Sequence, residues 1–142
     1  MAVKASRVDM WTGSVQDKPG ALAAKLAALA AAGAQLDYVM DAPWTPSTSG
    51  TGVVFLAPLR GARQAQAAKK AGLHKTRTLF AVKVEGPDRP GLGAKLTGAL
   101  AEKRINLRGL SASVIGKRFV LWLALDSAKD AARTVRILNG IR

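Results

Sequence analysis

The tetrapeptide Asp17-Lys18-Pro19-Gly20 returns 71 residues later as Asp88-Arg89-Pro90-Gly91, and this repeat limits the possible folds more than any other feature of the chain. Carried forward without gaps, the same offset pairs Leu29 with Leu100, Ala34 with Ile105 and Leu36 with Leu107. Each tetrapeptide follows a strand-like run and opens a helix-like one. The 142 residues therefore read as two very small modules, 1–77 and 78–142.

The elements of each copy follow from periodicity. In the first, Arg7 to Val15 reads as a polar strand, and Pro19 sits where a first helical turn tolerates a missing N–H. Leu22, Leu26 and Leu29 recur at helical spacing until Gly33 stops the helix. Leu36 to Met40 reads as a strand, 42–52 as a loop rich in Pro, Gly and hydroxyl residues, and Val53 to Leu56 as a further strand. Arg60 to Ala71 is a polar helix ended by Gly72. In the second copy, Phe80, Val82 and Val84 alternate along a strand, and Leu92, Leu96 and Leu100 stripe a helix. Leu107 to Ile115 and Arg118 to Leu125 form a hairpin turning at Gly116-Lys117. Ser127 caps a last helix with Ala131, Val135 and Leu138 inward and Asn139-Gly140 as its stop. The order is β-α-β-β-α, twice, and each split β-α-β unit still needs a fourth strand. Leu73 to Thr78 is available to the first copy and only Ile141 and Arg142 to the second, so strands are shared between copies or come from another chain.

Composition excludes several functions. The longest apolar runs are seven residues, far short of the roughly 18 a membrane helix needs. Residues 1–10 carry charges and no apolar stretch, so no signal peptide is read and the cytoplasm is the expected location. Cysteine is absent, which removes disulfides, thiolate metal sites and cysteine nucleophiles. His74 stands alone without a carboxylate cluster and reads as a surface or linker residue, so no metal site is expected. Ser111 and Ser113 have no neighbouring histidine or nucleophile elbow, and Gly91-x-Gly93 lacks the third glycine of a dinucleotide fingerprint. No catalytic residue and no cofactor is expected. The net charge of +13, divided at Arg77, falls almost evenly on the two parts. A surface of that sign attracts anions.

Asp-x-Pro-Gly after a strand, a leucine-striped helix, and an Asn at the start of the next strand together resemble the ACT domain family. Asp88-Arg89-Pro90-Gly91-Leu92, Leu96, Leu100 and Ile105-Asn106-Leu107 carry the likeness best. The first copy offers Asp17-Lys18-Pro19-Gly20, with Gln35 where the second has Asn106. The resemblance implies an α+β protein of two tandem ferredoxin-like βαββαβ modules, with antiparallel sheets and helices on one face. It implies a regulatory module that binds an amino acid at an interface between paired modules, through Asp17, Pro19, Gly20 and Gln35 in one copy and Asp88, Pro90, Gly91 and Asn106 in the other. Pro19-Gly20-Ala21-Leu22 echoes a Gly-Ala-Leu motif of phenylalanine-sensing members, whose partner Glu-Ser-Arg-Pro motif is absent.

The chemistry of these residue types suits such a ligand. Asp can pair with an α-ammonium, Asn can donate and accept, and helix N-terminal amides attract a carboxylate. The competing structural role is plain capping, with Asp and Pro-Gly only shaping the turn into a helix. Phe119 to Leu125 is apolar on both strand faces, which points to a homodimer or a sister module on the second face. The expected function is a non-catalytic amino-acid sensor acting on a regulated enzyme or regulator. Nucleic-acid binding through the basic surface is the alternative. Lys117-Arg118-Phe119-Val120 lacks the alternating aromatics that stack bases, so this alternative rests on charge alone.

Overall fold

The computed structural model describes residues 3–42 and 50–141. The chain divides into two compact units, one formed by Asp9–Thr76 and the other by residues up to Val8 together with those from Arg77 onward. This differs from the expected division at 1–77 and 78–142, because the N-terminal strand is hydrogen-bonded into the sheet of the second unit.

In the unit of residues 9–76, β2 (Trp11–Gln16), α1 (Ala21–Ala31), β3 (Tyr38–Ala42), β4 (Thr51–Ala57), α2 (Gly61–Lys70) and β5 (His74–Lys75) follow one another after β1 (Lys4–Val8) has been left behind. The sheet order is β3-β4-β2-β5, with antiparallel neighbours throughout. That is the βαββαβ arrangement, and two residues of the Leu73 to Thr78 segment supply its short fourth strand. Trp11, Val15, Leu29, Val54, Leu56, Ala68 and Leu73 form its core, with Leu22 and Leu26 packed beside them. Lys25 of α1 donates to the Ala71 carbonyl and Arg63 of α2 to that of Ala31 at 3.1 Å, binding the two helix ends together. Strand β3 begins two residues later than its apolar run suggested. The intervening loop, 43–49, lies outside the described residues.

The second unit contains β6 (Phe80–Pro87), α3 (Leu92–Glu102), β7 (Leu107–Ile115), β8 (Arg118–Leu125) and α4 (Ala128–Asn139), in the sheet order β1-β6-β8-β7. Strand β1 occupies the place that β5 holds in the other sheet. It pairs antiparallel with β6, Ala5 opposite Val84, which settles where the missing strand comes from: the other end of the chain. The segment read as one strand from Arg7 to Val15 is thus two strands, parted at Asp9-Met10 and assigned to different sheets.

One face of this sheet carries Val82, Val84, Leu121, Leu123 and Leu125 against Leu92, Leu96 and Leu100 of α3 and Ala131 and Leu138 of α4. Burying a leucine fully contributes about 1.5–3 kcal/mol, so the α3 stripe alone commits this helix to the sheet. Strand β8 is central and Trp122, on its opposite face, is itself only 8% exposed, with the Lys83 ammonium 5.7 Å from its ring. The second face of β8, expected to be covered by a sister module or a second chain, is already closed to solvent at Trp122 within the single chain. The exposed apolar side chains sit on the edge strand β7, at Leu110, Val114 and Ile115.

Both α1 and α3 end alike. Ala34 N–H donates to Leu29 O at 3.1 Å and Ile105 N–H to Leu100 O at 3.0 Å, a six-residue closure that requires a left-handed residue inside it. Gly33 supplies it in one copy (φ 87°) and Arg104 in the other (φ 58°).

Candidate functional site

Each Asp-x-Pro-Gly turn leads from the last residue of a strand into a helix. Gly20 (φ 88°) and Gly91 (φ 82°) are the N-caps, both left-handed, and no side chain caps either helix. The carboxylates of Asp17 and Asp88 thus do not perform the capping role that was the competing reading. Their main-chain amides are engaged instead. Asp17 N–H donates to Gly50 O at 2.8 Å and Asp88 N–H to Lys117 O at 2.9 Å. In both copies the turn is anchored to the residue just before the third strand of its module.

Asp17, Pro19, Gly20, Asp88, Pro90 and Gly91 are all exposed. Among the described residues no hydrogen bond or ion pair engages the Asp88 carboxylate. Beside it stands the first turn of α3, where Leu92 N–H donates to Arg89 O at 3.3 Å and the amides of Gly93 and Ala94 have no partner within the helix. Such a turn offers an anionic group for an ammonium and N–H donors for a carboxylate within one short stretch.

Asn106 and Gln35 are also exposed, but they lie elsewhere. Strands β6 and β7 both run antiparallel to β8 and hence parallel to each other. Phe80, Leu125 and Leu107 form a row at one end of the sheet, and Pro87, Arg118 and Ile115 a row at the other. Asp88 follows the second row and Asn106 precedes the first. Seven residues at about 3.3 Å each separate the rows, roughly 23 Å. In the first copy, Trp11, Leu56 and Val39 share a row near Gln35, while Gln16 and Thr51 mark the far end near Asp17. The Asp88 turn and Asn106 of one module therefore do not lie side by side. Within one module the split β-α-β topology sends the two to opposite ends.

The Asn106 end has a basic feature that lies outside the family motif. Lys103 and Arg104 lie just before Asn106, exposed, and Arg133 of α4 braces the stretch by donating to Lys103 O at 2.8 Å. Arg108 donates to Thr78 O at 3.0 Å and pairs with Asp126 at 3.4 Å. The signal was present at the 71-residue offset, where Arg104 replaces a helix-stopping glycine. His74, exposed on β5, faces no metal-binding partners; among the described residues no group of three His, Asp or Glu side chains could hold an ion. No helix among them is long and apolar enough to cross a membrane.

Residues 80–142 match the ACT domain family. Solved structures extend the likeness to the whole chain as a matter of fold. A protein from Bacteroides thetaiotaomicron is 15% identical, with a TM-score of 0.76 over 93% of this chain and 88% of its own. The ligand-free regulatory subunit of aspartate kinase from Thermus thermophilus is 18% identical, with a TM-score of 0.66 over 99% and 97%. Aspartate kinase from Synechocystis is 16% identical at a TM-score of 0.61, this chain covering 98% of itself and 26% of that enzyme. No curated protein matches the chain in sequence.

Proposed function

We propose that this chain, whose second half is an ACT domain and whose first half repeats its fold, senses an amino acid and passes the signal to an enzyme or regulator. ACT domains are regulatory modules, and the similar Thermus thermophilus structure is a regulatory subunit spanning nearly the same length. The observation that carries the reading is the Asp88 turn: an unengaged carboxylate beside an uncapped helix N-terminus, held in place through its own main chain.

Asp88 and Asn106 stand at opposite ends of one sheet, so a ligand touching both needs two modules. We assign the second to another copy of the chain, joined in a homodimer through the exposed edge strand β7, where Leu110 and Val114 are each 50% exposed. In a twofold dimer each site takes its Asp from one chain and its Asn from the other.

A melting screen over amino acids identifies the ligand, and complementation then tests the arrangement. Asp88→Ala and Asn106→Ala should each bind about ten- to hundredfold more weakly, the loss expected for one charge-assisted hydrogen bond. Asp17→Ala should matter less. An equal mixture of the two defective chains, exchanged into mixed dimers, should regain about a quarter of the wild-type sites. Titration calorimetry counts them. Wild-type binding by both variants rejects the site, and a monomer at high concentration with full binding rejects the dimer.

A further inference from the structure

The offset that defines the repeat also exposes a difference between its copies. Lys103-Arg104-Ile105-Asn106-Leu107-Arg108 stands against Ala32-Gly33-Ala34-Gln35-Leu36-Asp37, a stretch of three positive charges against one negative. Residues 32–34 and 103–105 share one conformation, since the hydrogen bonds that close α1 and α3 correspond residue for residue there. The chemistry has therefore changed on a fixed backbone. Arg104 even occupies the left-handed position that the first copy gives to glycine, a conformation in which a β-carbon is unfavourable.

Two neighbouring arginines are already committed. Arg108 is paired with Asp126 at 3.4 Å and Arg133 with Asp130 at 3.2 Å. Glu102, exposed, directly precedes Lys103 in the chain. Among the described residues no ion pair engages Lys103 or Arg104. The result is a small cationic site next to Asn106, with the planar donor fork of an arginine suited to one carboxylate. A polyanion needs a longer basic track than two adjacent side chains.

We propose that Lys103, Arg104 and Asn106 bind the side-chain carboxylate of a dicarboxylic amino acid, and that the matching end of the first module does not. This rests on the sensor reading above and names its ligand class. The Asp88 turn of the partner copy would take the ammonium and α-carboxylate, so Arg104 decides specificity and the turn decides amino-acid binding.

Titration calorimetry on the full chain with L-glutamate, L-aspartate, glycine and L-leucine tests it. The variants Arg104→Gly and Lys103→Ala install the residues the first copy already uses, so the backbone conformation is retained. The expected result is binding of glutamate or aspartate that weakens about ten- to hundredfold in Arg104→Gly, with no fall in the melting temperature of the unliganded protein. Binding of a neutral amino acid, unchanged in Arg104→Gly and without dicarboxylate binding, overturns this inference and leaves the sensor reading standing. Retention of an oligonucleotide that depends on Arg104, with no amino acid bound, overturns both.

Discussion

Thr134 is fully buried in α4, and its Oγ1 has no hydrogen-bond partner among the described residues. A buried hydroxyl left unsatisfied costs about 1–3 kcal/mol, the desolvation penalty without the compensating bond. Thr134→Val keeps the branched shape and removes the penalty. It should stabilise the protein by about 1–2 kcal/mol, read as a melting temperature higher by roughly 2–8 °C in calorimetry. The sequence exposed this helix well at the level of its stripe: Ala131 and Leu138 are buried and the Ser127 hydroxyl accepts from Asp130 N–H at 3.0 Å. Thr134 escaped notice because apolar periodicity passes over a polar residue, although its position, three after Ala131 and four before Leu138, places it on the buried face.

Among the elements, β1 was the least legible. Its five residues, Lys4 to Val8, bury only Ala5, so no alternating pattern marks it, and its partner lies far along the chain. The central strand β8 and the helices α1 and α3 were plain by contrast, since each carries several leucines at its own period. What secures β1 is equally invisible in sequence. Asn139, read only as part of a helix stop, accepts from Ala5 N–H at 2.7 Å and donates back to Ala5 O at 3.1 Å. The side chain mimics a neighbouring strand and satisfies the outer edge of β1. Asn139→Ala should lower stability by about 1–3 kcal/mol and speed hydrogen exchange at the Ala5 amide more than at amides of β8. Uniform acceleration across the sheet would contradict this local role.

At the scale of the molecule, the true units redistribute charge. Once Lys4, Arg7 and Arg77 move to the second unit, it holds 15 basic against 5 acidic residues, and residues 9–76 hold 7 against 4. A cut at Arg77 divides the charge evenly, whereas the two compact units do not. The candidate residues were legible only one by one: the Asp turns and Asn106 are exposed, yet their separation depends on strand direction, which spacing along the chain cannot convey. A fragment cut at the sequence boundary makes the point testable. Residues 78–142 lack β1 and present β6 as a bare edge, so they should aggregate or melt well below the intact chain, and a peptide of residues 3–8 should restore stability. Residues 9–76 should fold without help, which circular dichroism on both fragments can check.

The pairing of Ala5 with Val84 also sets a clock on biosynthesis. Strand β1 leaves the ribosome ahead of everything it binds, and at about 5–20 residues per second its partner follows roughly 4–16 s later. Throughout that delay the nascent segment must stay unpaired while an entire unit of sequence forms behind it. The second unit is therefore completed only when β1 meets β6, so a ribosome that stalls before β6 leaves the first unit finished and the second without a sheet.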